Sequence, residues 1–554
     1  MKNALRMVLS GLLAGMAAAG AAEKVTALPP KPEAVKRWQD LRFGLFIHWG
    51  PVSLTGHEIG WSRGAETPIA EYDALYKKFN PTGFNADEWV KVAKDAGMKY
   101  IVLTTKHHDG FCLWDTKQTD YNIMNSPFKR DVVKELTEAC KKQGIAFGAY
   151  YSVCDWHHPD FPLTSPGGGT RRGKSDLDAY NKYLLAQIRE LIVNYGPLLT
   201  LWNDVPQMFE GRGVNTINMM RTLQPDILIN DRTGDGGDFS TPEQTIGGFD
   251  MQRPWETCMT ICNQWAWKPN DGMKSLKQCL QALIRTAGGN GNLLFNVGPM
   301  PDGKIEQRQI DRLKEMGDWL TKYGDSIYGT RGGPFRPAKW GVGTRKGNKV
   351  FLHVLAWPET GTMELPAIPA KLKAAQALTG GAVECQQGEQ GLTLKFPGAN
   401  RDEIDTLIEL ELDGSAMALA PVSGSSSGGT LVFGAKATAS NVWQKDDGYG
   451  PDKAVDNDDG TRWATDSGTK QAWLELDLGK PKEFSRVAVK EWGDRVRAFE
   501  LQYRAGAEWK TIFKGDKVGN DFRKTFPAVT AQVVRLNILD ATEGPTIEEF
   551  QLLK

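Results

Sequence analysis

MKYIVLTTKHHDG, residues 98–110, begins as an apolar, β-rich run and ends in two histidines and an aspartate. Four similar runs occur in the first half of the chain: RFGLFIHWG (42–50), GIAFGAYYSVCDW (144–156), PLLTLWND (197–204) and DILINDR (226–232). Continuous apolar runs are typical of parallel strands, because a parallel sheet is buried on both faces. The runs therefore predict a parallel sheet at the centre of the first domain.

Helical patterns separate these runs. FNADEWVKVAKDAG (84–97) offers Asn85 or Asp87 as an N-cap, and a second helical pattern covers residues 126–144. Five or more strand–helix units in series predict a (β/α)8-like (TIM) barrel. A doubly wound sheet is the alternative, but its dinucleotide-binding form lacks support because no GxGxxG follows any strand.

The pattern changes to short alternating runs after about residue 330. We predict a barrel over residues 30–335, an antiparallel β-sandwich over 336–414, and a flexible Gly- and Ser-rich linker over 415–430. Short strands resume in residues 431–554, which predicts a second, independent β domain.

The N-terminus has the order of a secretory signal. Basic residues precede an apolar run (7–19) that ends in small residues, and we expect cleavage near Ala21 or Ala22. The predicted signal peptide covers residues 1–22, so the protein is expected to be exported to the periplasm or the extracellular space. No later segment is long and apolar enough to predict membrane insertion.

The charge balance excludes some partner classes. The chain has 67 Lys and Arg against 67 Asp and Glu, whereas proteins that bind nucleic acid or anionic membranes carry an excess of basic residues.

Its seven cysteines are too few for a disulfide-dense scaffold of this length. We expect buried free thiols with at most one bridge.

Polar and aromatic side chains end each of the five runs. The carboxyl ends of barrel strands form the active-site face, so these residues are the candidate site. They are His48 and Trp49; His107, His108 and Asp109; Tyr150, Tyr151 and Asp155; Trp202, Asn203 and Asp204; and Asp231 and Arg232. A cleft that combines such groups suits a carbohydrate.

Three carboxylates are candidates for glycoside hydrolysis, which needs two. Asp204 ends an otherwise apolar strand, where an ionised group is costly unless it faces the cleft or is paired. Glu243 in STPEQ and Glu256 in RPWETCMT follow in the next loop and strand. In a retaining enzyme the two carboxyl groups stand roughly 5 Å apart, one as nucleophile and the other as acid and base.

The adjacent histidines also raise a metal site as an alternative. Neighbouring residues on a strand point to opposite faces, so His107 and His108 cannot share an ion unless the backbone bends after Lys106. No HxH or HExxH spacing supports zinc. We therefore favour a wall that binds sugar hydroxyls, with His48 from the next strand, and expect one of the pair to support the site from behind unless that bend occurs.

Taken in order, these motifs resemble the α-L-fucosidases of glycoside hydrolase family 29. The similarity covers about residues 36–335 and is carried by RFGLFIHWGPVS, KHHDGF, YYS, LWND, NDR, TPE, PWETCMT and GNGNLLFNVGPMPDG. It implies a (β/α) barrel with a companion β-sandwich. It also implies retaining hydrolysis of terminal α-L-fucose from fucosylated glycans, with no cofactor for catalysis.

The resemblance also assigns residue roles. It makes Asp204 the nucleophile and either Glu256, which we prefer, or Glu243 the acid/base, with both expected to line the pocket. The residues implied to bind sugar are His48, His107, His108 and Trp61, and Arg232 matches the arginine that helps hold the nucleophile region. The Arg232 guanidinium also offers donors to the sugar hydroxyls. For the ring methyl of fucose, the residues offer an apolar wall from Trp202, Trp265 or Phe46.

The last domain resembles the discoidin-like carbohydrate-binding modules of family 32. AVDNDDGTRWATD (454–466), WLELDLG and TIEEFQLL carry the similarity. It implies a structural calcium, for which the matching positions are Asp456, Asp459, Thr461 and Glu549. A solvated acidic turn without metal is the alternative.

Two other functions compete with hydrolysis of fucosides. A non-catalytic lectin would keep the barrel as a binding scaffold, although Asp204 with two candidate glutamates argues against it. A metal-dependent hydrolase would use the histidine pair.

Overall fold

The computed structural model describes residues 26–161, 175–205, 212–234, 236–357, 361–389, 391–396, 401–422, 431–432, 435–456 and 461–553. The predicted signal peptide, the predicted calcium ligand Asp459 and residues 423–430 of the predicted linker lie outside the described residues.

Seven parallel strands form the sheet of the first domain. They are β1 (Phe43–Ile47), β2 (Tyr100–Lys106), β3 (Ala146–Ser152), β4 (Thr200–Asp204), β5 (Leu228–Ile229), β6 (Glu256–Thr260) and β7 (Asn292–Val297). Their order across the sheet is β5-β4-β3-β2-β1-β7-β6. Each of the five predicted runs contains one of these strands, and the parallel sheet predicted from their unbroken apolar character is confirmed.

An irregular segment, residues 239–243, occupies the gap between β5 and β6. It makes only single bridges, from Phe239 to Asn230 after β5, and from Ser240 to Trp255 and Glu243 to Cys258 on the side of β6. These bridges are parallel, so the segment takes the place of an eighth strand. The barrel closes in this way without a regular ladder.

Eight helices are described, most of them packed around the sheet. They are α1 (Pro32–Leu41), α2 (Ile69–Tyr72), α3 (Ala86–Asp95), α4 (Val132–Gln143), α5 (Leu177–Tyr195), α6 (Gly213–Leu223), α7 (Leu276–Gly288) and α8 (Gln307–Tyr323). The Asn85 side chain caps α3, as predicted. The second predicted helix begins later than expected, because Asp131 is its N-cap and accepts from the Lys134 amide.

The second domain is a β-sandwich. Its five-stranded sheet has the order β12-β15-β10-β9-β8 and its three-stranded sheet the order β11-β14-β13. The strands are β8 (Arg331–Gly332), β9 (Gly341–Lys346), β10 (Lys349–Val354), β11 (Thr362–Pro366), β12 (Leu372–Ala377), β13 (Glu384–Gly388), β14 (Gly391–Lys395) and β15 (Thr406–Leu412). Apolar side chains from both sheets form its core.

The first part of the predicted linker packs on this sandwich. Arg345 Nη1 donates to the carbonyl oxygens of Ala416 and Leu419, and Phe335 forms a bridge with Val422. Residues 415–422 are therefore anchored, contrary to the flexible linker predicted from their small side chains. Small side chains are compatible with close packing as well as with flexibility, so composition alone did not separate the two.

The C-terminal domain is also all-β. Its strands are β16 (Lys436–Ala439), β17 (Trp463–Ala464), β18 (Ala472–Glu491), β19 (Val496–Ala505), β20 (Glu508–Gly515), β21 (Phe522–Ala541) and β22 (Thr546–Leu553). The order is β17-β22-β18-β21-β19-β20, with β16 paired to β18. The ladder between β18 and β21 shifts register twice, as expected where long strands bend around a core.

All seven cysteines are unpaired, six of them buried, as the sequence predicts. Among the described residues, no helix combines the length and the apolar character needed to cross a bilayer.

Candidate active site

A small pocket opens at the carboxyl ends of the barrel strands. Its volume is about 120 Å³, below the 300–1,000 Å³ of pockets for drug-sized ligands. The lining residues are Phe46, His48, Trp61, His107, His108, Tyr150, Trp202, Asp204, Val205, Arg232, Glu243, Cys258 and Trp265. The pocket suits a single terminal sugar better than an internal stretch of a glycan.

Asp204 ends β4 and carries the most heavily bonded carboxylate in the pocket. Its Oδ2 accepts a 2.7 Å hydrogen bond from the Tyr150 hydroxyl, and its Oδ1 accepts from Arg232 Nη1 at 2.7 Å. The amide of Val205 adds a third bond, at 2.9 Å, from a residue whose φ of 60° is unusual for a β-branched side chain. Backbone strain thus sits directly beside this carboxylate.

The surroundings of Asp204 keep it ionised. Burial alone would raise the pKa of this carboxyl. His108, which is charged only in the acidic range where Asp204 itself titrates, the Arg232 guanidinium and the hydrogen bond from the Tyr150 hydroxyl outweigh burial and hold the pKa below its ordinary value. Asp204 is therefore a partly buried anion near neutral pH.

Arg232 joins two carboxylates. Its Nη1 bonds Asp204, and its Nη2 lies 2.9 Å from Glu243 Oε2. Thr241 fixes the same guanidinium from the side through its hydroxyl, at 3.0 Å, and its carbonyl, at 3.1 Å. The indole of Trp202 lies beneath, 4.9 Å from the guanidinium carbon. A rigid, planar donor thus holds both acidic groups at one edge of the pocket.

His107 and His108 both line the pocket, because β2 ends at Lys106 and the chain turns there. A register shift between Thr104 and Lys106 and a turn closed by the Gly110 amide on the His107 carbonyl provide the bend. The His107 ring stacks on Tyr150 at 5.6 Å, and His108 Nε2 lies 3.7 Å from Asp204 Oδ2. The backbone therefore bends after Lys106, and both histidines line the pocket. Neither of them supports the site from behind.

The histidines are neutral. Burial lowers the pKa of His48 to about 3 and that of His108 to about 4, and it lowers the pKa of His107 well below its ordinary value. A neutral imidazole offers one donor and one acceptor, which matches the character of a hydroxyl group.

Hydrogen bonds fix the tautomers of two of these rings. Asn296 donates its amide to the Trp265 carbonyl, so its oxygen accepts from His48 Nδ1 at 2.7 Å. Ser152 donates to the Cys154 carbonyl and accepts from His108 Nδ1 at 2.7 Å. The Nε2 atoms of both rings are therefore acceptors.

Three indoles complete the pocket. Trp265 packs on His48 at 4.7 Å, and Trp202 packs on Phe46 at 5.6 Å. Trp61 is 47% exposed and meets His108 edge-on at 5.3 Å. Gly60 precedes it with a φ of 67°, where a Cβ atom would lie 2.8 Å from His107 Nδ1, so this loop can approach the histidine only with glycine at that position.

Glu256 lies outside the pocket, contrary to the expectation that both glutamates would line it. It is the first residue of β6, at the amino end of the strand, and it is fully buried inside the barrel. Trp202 Nε1 donates to its Oε1 at 3.1 Å, and the Tyr100 hydroxyl bonds its Oε2. Burial raises its pKa to about 7. The strand carries this carboxyl to the end of the barrel remote from the sugar pocket.

Several contacts that shape the site were not predicted. Glu58 accepts the amides of Trp265 and Ala266 at 2.8 and 2.9 Å and so fixes the Trp265 loop. Lys106, buried behind the histidines, forms a 3.3 Å ion pair with Asp155. In the sequence, Glu58 stands three residues before Trp61 in HEIGWS. Its contact with the loop at Trp265 forms only in the folded protein, so no local pattern predicts it.

The calcium positions of the C-terminal domain are partly described. The Thr461 hydroxyl lies 2.9 and 2.8 Å from the two carboxylate oxygens of Asp456, and Glu549 is buried on β22. Within the described ranges, no group of three or more His, Cys, Asp or Glu side chains is arranged to hold a metal ion. The Asp456–Thr461 pair offers oxygen atoms, which is the donor chemistry that calcium prefers.

Two family models match parts of this chain. Residues 17–325 match the family described as alpha-L-fucosidase, and residues 436–550 match the F5/8 type C domain. Plasma alpha-L-fucosidase of Homo sapiens is 30% identical over 368 residues, which cover 59% of this chain and 78% of that protein.

Solved structures are similar as well. A family 29 alpha-L-fucosidase from Bacteroides thetaiotaomicron, trapped as a covalent intermediate with 2-fluoro-fucosyl fluoride, has a TM-score of 0.63 and 26% identity over 71% of this chain and 99% of its own. The alpha-L-fucosidase of Vibrio sp. strain EJY3 has a TM-score of 0.72 at 23% identity and covers 95% of this chain and 98% of its own. The latter similarity concerns the fold of nearly the whole chain.

Proposed function

The chain belongs to the α-L-fucosidase family of glycoside hydrolases, and from that premise we propose how its own residues release a terminal α-L-fucose with retention of configuration. One observation carries the proposal: Asp204 and Glu243 are held on the same guanidinium at the rim of a pocket that fits one sugar.

Asp204 is the nucleophile of this proposal. It attacks the anomeric carbon while Glu243, in its protonated form, gives its proton to the departing glycosidic oxygen. Glu243 then removes a proton from water, which attacks the same carbon and frees Asp204. Two displacements at one carbon return the original configuration.

Glu243, not Glu256, takes the acid/base role in this mechanism. The acid must reach the glycosidic oxygen, which lies where the bound sugar meets solvent. The Glu243 side chain is 43% exposed at the pocket rim, whereas Glu256 has no exposure at all. Glu256 instead holds Trp202, which supports Arg232 from below.

The neutral histidines form hydrogen bonds with the hydroxyl groups of the sugar. His108 Nε2 and Asp204 Oδ2 are both acceptors, 3.7 Å apart, so a sugar hydroxyl placed beside them can donate its one proton to either atom. His48 Nε2 offers another acceptor. A site with fixed partners for hydroxyls discriminates strongly against sugars that lack them, because its buried polar atoms are then left unpaired.

Catalysis proceeds through these side chains without a cofactor. The finer proposals concern the rest of the chain: a structural calcium held in the C-terminal domain by Asp456, Thr461 and Glu549 together with Asp459, and export after cleavage near Ala21 or Ala22. Chelation should lower the melting temperature of the C-terminal domain while the barrel remains active. If the chelator instead abolishes fucosidase activity at a temperature where all domains are still folded, a metal-dependent hydrolase is favoured.

Hydrolysis of an aryl α-L-fucoside tests the proposed function. We expect turnover by the parent, α-fucose as the first product in a proton NMR time course, and a loss of at least about 10³-fold in Asp204→Asn. Initial release of β-fucose would contradict retention. Binding of fucosylated glycans without any turnover would favour the lectin alternative.

A further inference from the structure

The loop that carries Trp61, residues 57–64, forms turns and bends and contains no strand or helix. Trp61 is nevertheless a defined wall of the sugar pocket, where it meets His108 and Trp156 edge-on, each at 5.3 Å. Irregular loops are more mobile than the elements they connect. The position of this indole therefore depends on contacts from outside the loop.

A single phenol connects the Trp61 loop to the turn that carries the histidines. The Tyr72 hydroxyl accepts from the Gly60 amide at 2.9 Å and donates to Asp109 Oδ2 at 2.8 Å. Gly60 directly precedes Trp61, and Asp109 directly follows His108. A hydroxyl can donate and accept at the same time, so both bonds form together. We call this path, from Gly60 through Tyr72 to Asp109, the Tyr72 link.

The Tyr72 link is buried and firmly held. Tyr72 is 1% exposed and Asp109 is 2% exposed, so water does not compete for the two hydrogen bonds. The second oxygen of Asp109 accepts from the Phe111 amide at 3.1 Å. Tyr72 is the last residue of α2, and its neighbour Asp73 binds Arg63 of the same loop through hydrogen bonds of 2.6 and 2.8 Å. Buried donors and acceptors are costly to leave unpaired, so the link resists opening.

Packing sets the direction in which the loop moves if the link is broken. A Cβ atom on Gly60 would lie 2.8 Å from His107 Nδ1 and 3.4 Å from His108 Cβ, so the loop already touches the histidine turn. Because it cannot approach the histidines further, a released loop moves away from them and takes Trp61 with it. A misplacement of about 1 Å can cost on the order of 100-fold in rate, so even a small displacement matters.

The reacting groups are held independently of this link. Asp204 is bonded by Tyr150 and Arg232, and Arg232 also bonds Glu243. None of these hydrogen bonds includes a member of the Tyr72 link. Loss of the link should therefore weaken the binding of the sugar and leave the bond-breaking step largely unchanged.

We propose that Tyr72 is a positioning residue for the fucose site. Through Gly60 it fixes Trp61 against the histidine turn, and this placement sets the affinity of the pocket for the sugar. Tyr72 itself touches neither the substrate nor the reacting atoms. The inference rests on the proposed fucosidase function.

Three single variants test the link. Tyr72→Phe removes the hydroxyl and keeps the ring, which packs in a small apolar cluster. Asp109→Asn keeps both rings and weakens the bond from Tyr72, because hydrogen bonds to a carboxylate are about twice as strong as neutral ones. Tyr195→Phe is the matched control: the Tyr195 hydroxyl also donates to an aspartate, Asp131, at 2.7 Å, and neither residue lines the sugar pocket.

The experiment measures kcat and KM for an aryl α-L-fucoside and, by calorimetry, the Kd of L-fucose. All assays are run well below the melting temperature of each variant. We expect Tyr72→Phe to raise KM and Kd by about tenfold and to keep kcat within about twofold of the parent, because it removes binding that the ground state and the transition state share. Asp109→Asn should raise KM and Kd by roughly threefold, and Tyr195→Phe should change neither.

A double-mutant cycle with Trp61→Ala shows whether Tyr72 acts through Trp61. Trp61→Ala alone should raise the Kd of L-fucose. In that background Tyr72→Phe should add less than about twofold, because the wall that it positions is already gone. If Tyr72→Phe does not yield folded protein, Asp109→Asn takes its place in the cycle.

Three results would overturn the role given to Tyr72. The first is a KM and a Kd in Tyr72→Phe that equal those of the parent. The second is the same loss of affinity in the Trp61→Ala background as in the parent, and the third is a fall in kcat with KM and Kd unchanged. Failure of the parent to cleave any fucoside would contradict the proposed function, whereas the Kd of L-fucose would still test the Tyr72 link.

Discussion

Arg232 donates from Nη1 to Asp204 Oδ1 at 2.7 Å, and this contact organises the acidic edge of the pocket. Its other terminal nitrogen holds Glu243, and its plane rests on Trp202. One guanidinium therefore sets the position of the proposed nucleophile and of the proposed acid/base together. A compact ammonium group cannot reproduce this planar, forked arrangement.

Arg232→Lys should lower kcat/KM for an aryl α-L-fucoside by roughly 10- to 100-fold, because one ammonium cannot hold both carboxylates and stack on the indole. Steady-state kinetics measure the loss. Arg253→Lys, at an exposed arginine paired with Asp231, is the matched control and should stay within about twofold of the parent. Equal activity of Arg232→Lys and the parent would contradict the role given to the fork.

Glu243→Gln and Glu256→Gln separate the two glutamates. Loss of a general acid costs about 10²- to 10⁴-fold, so we expect Glu243→Gln to show such a loss on a glycan substrate. The loss should be much smaller on fucosyl fluoride, whose leaving group needs little protonation. Glu256→Gln should show no such dependence on the leaving group, and the reverse pattern would return the acid/base role to Glu256.

The pH profile of kcat/KM should reflect the low pKa values of the histidines. His48 and His108, with pKa values of about 3 and 4, stay neutral down to mildly acidic pH. Activity attributable to them should therefore be kept at pH 5 and decline only as the pH approaches about 4. As a control for unfolding, samples are held at each pH, returned to pH 6 and then assayed. An acid limb centred near 6.5, the ordinary histidine value, would contradict neutral, buried imidazoles.

Glu256 should make stability depend on pH. Its pKa is about 7 when folded and about 4.5 when unfolded, so between these values the folded state binds the extra proton. This contribution to stability is complete below pH 4.5 and is lost as the pH rises through about 7. Glu256→Gln, whose amide can still bond Trp202 and Tyr100, lacks the effect. The melting temperature of Glu256→Gln minus that of the parent should increase by a few degrees between pH 4.5 and pH 7.5. A pH-independent difference would contradict the raised pKa.

The sequence was sufficient for the parts of the site that lie at strand ends. Unbroken apolar runs located β1 to β5, and reading their last residues located His48, Asp204 and Arg232 in the pocket. This works because parallel strands bring their carboxyl ends to one face.

The parts that depended on irregular backbone were not predictable in this way. Glu243 lies on a segment with single bridges in place of a ladder, so no periodic pattern placed it at the pocket. Glu256 resembled a site residue because it stands beside a strand, but it is the first residue of that strand and not the last. A glutamate at the amino end of a barrel strand points away from the pocket, so the position of Glu256 within its strand excluded it from the pocket lining.

Contacts between distant residues were also beyond the sequence. Glu58 fixes the loop at Trp265, and the C-terminal module meets the barrel at a cavity near Gly248. Neither pairing leaves a local pattern, because the partners are brought together only by the closed barrel and the docked domains.

The identity of the covalently labelled carboxylate tests the central claim most directly. The protein is incubated with 2-deoxy-2-fluoro-α-L-fucosyl fluoride, digested, and analysed by peptide mass spectrometry, with Asp204→Asn as the control. We predict a single fluorofucosyl adduct on Asp204 and none in the variant. An adduct on another residue, or turnover of fucosides without any adduct and with inversion at the anomeric carbon, would contradict Asp204 as the nucleophile.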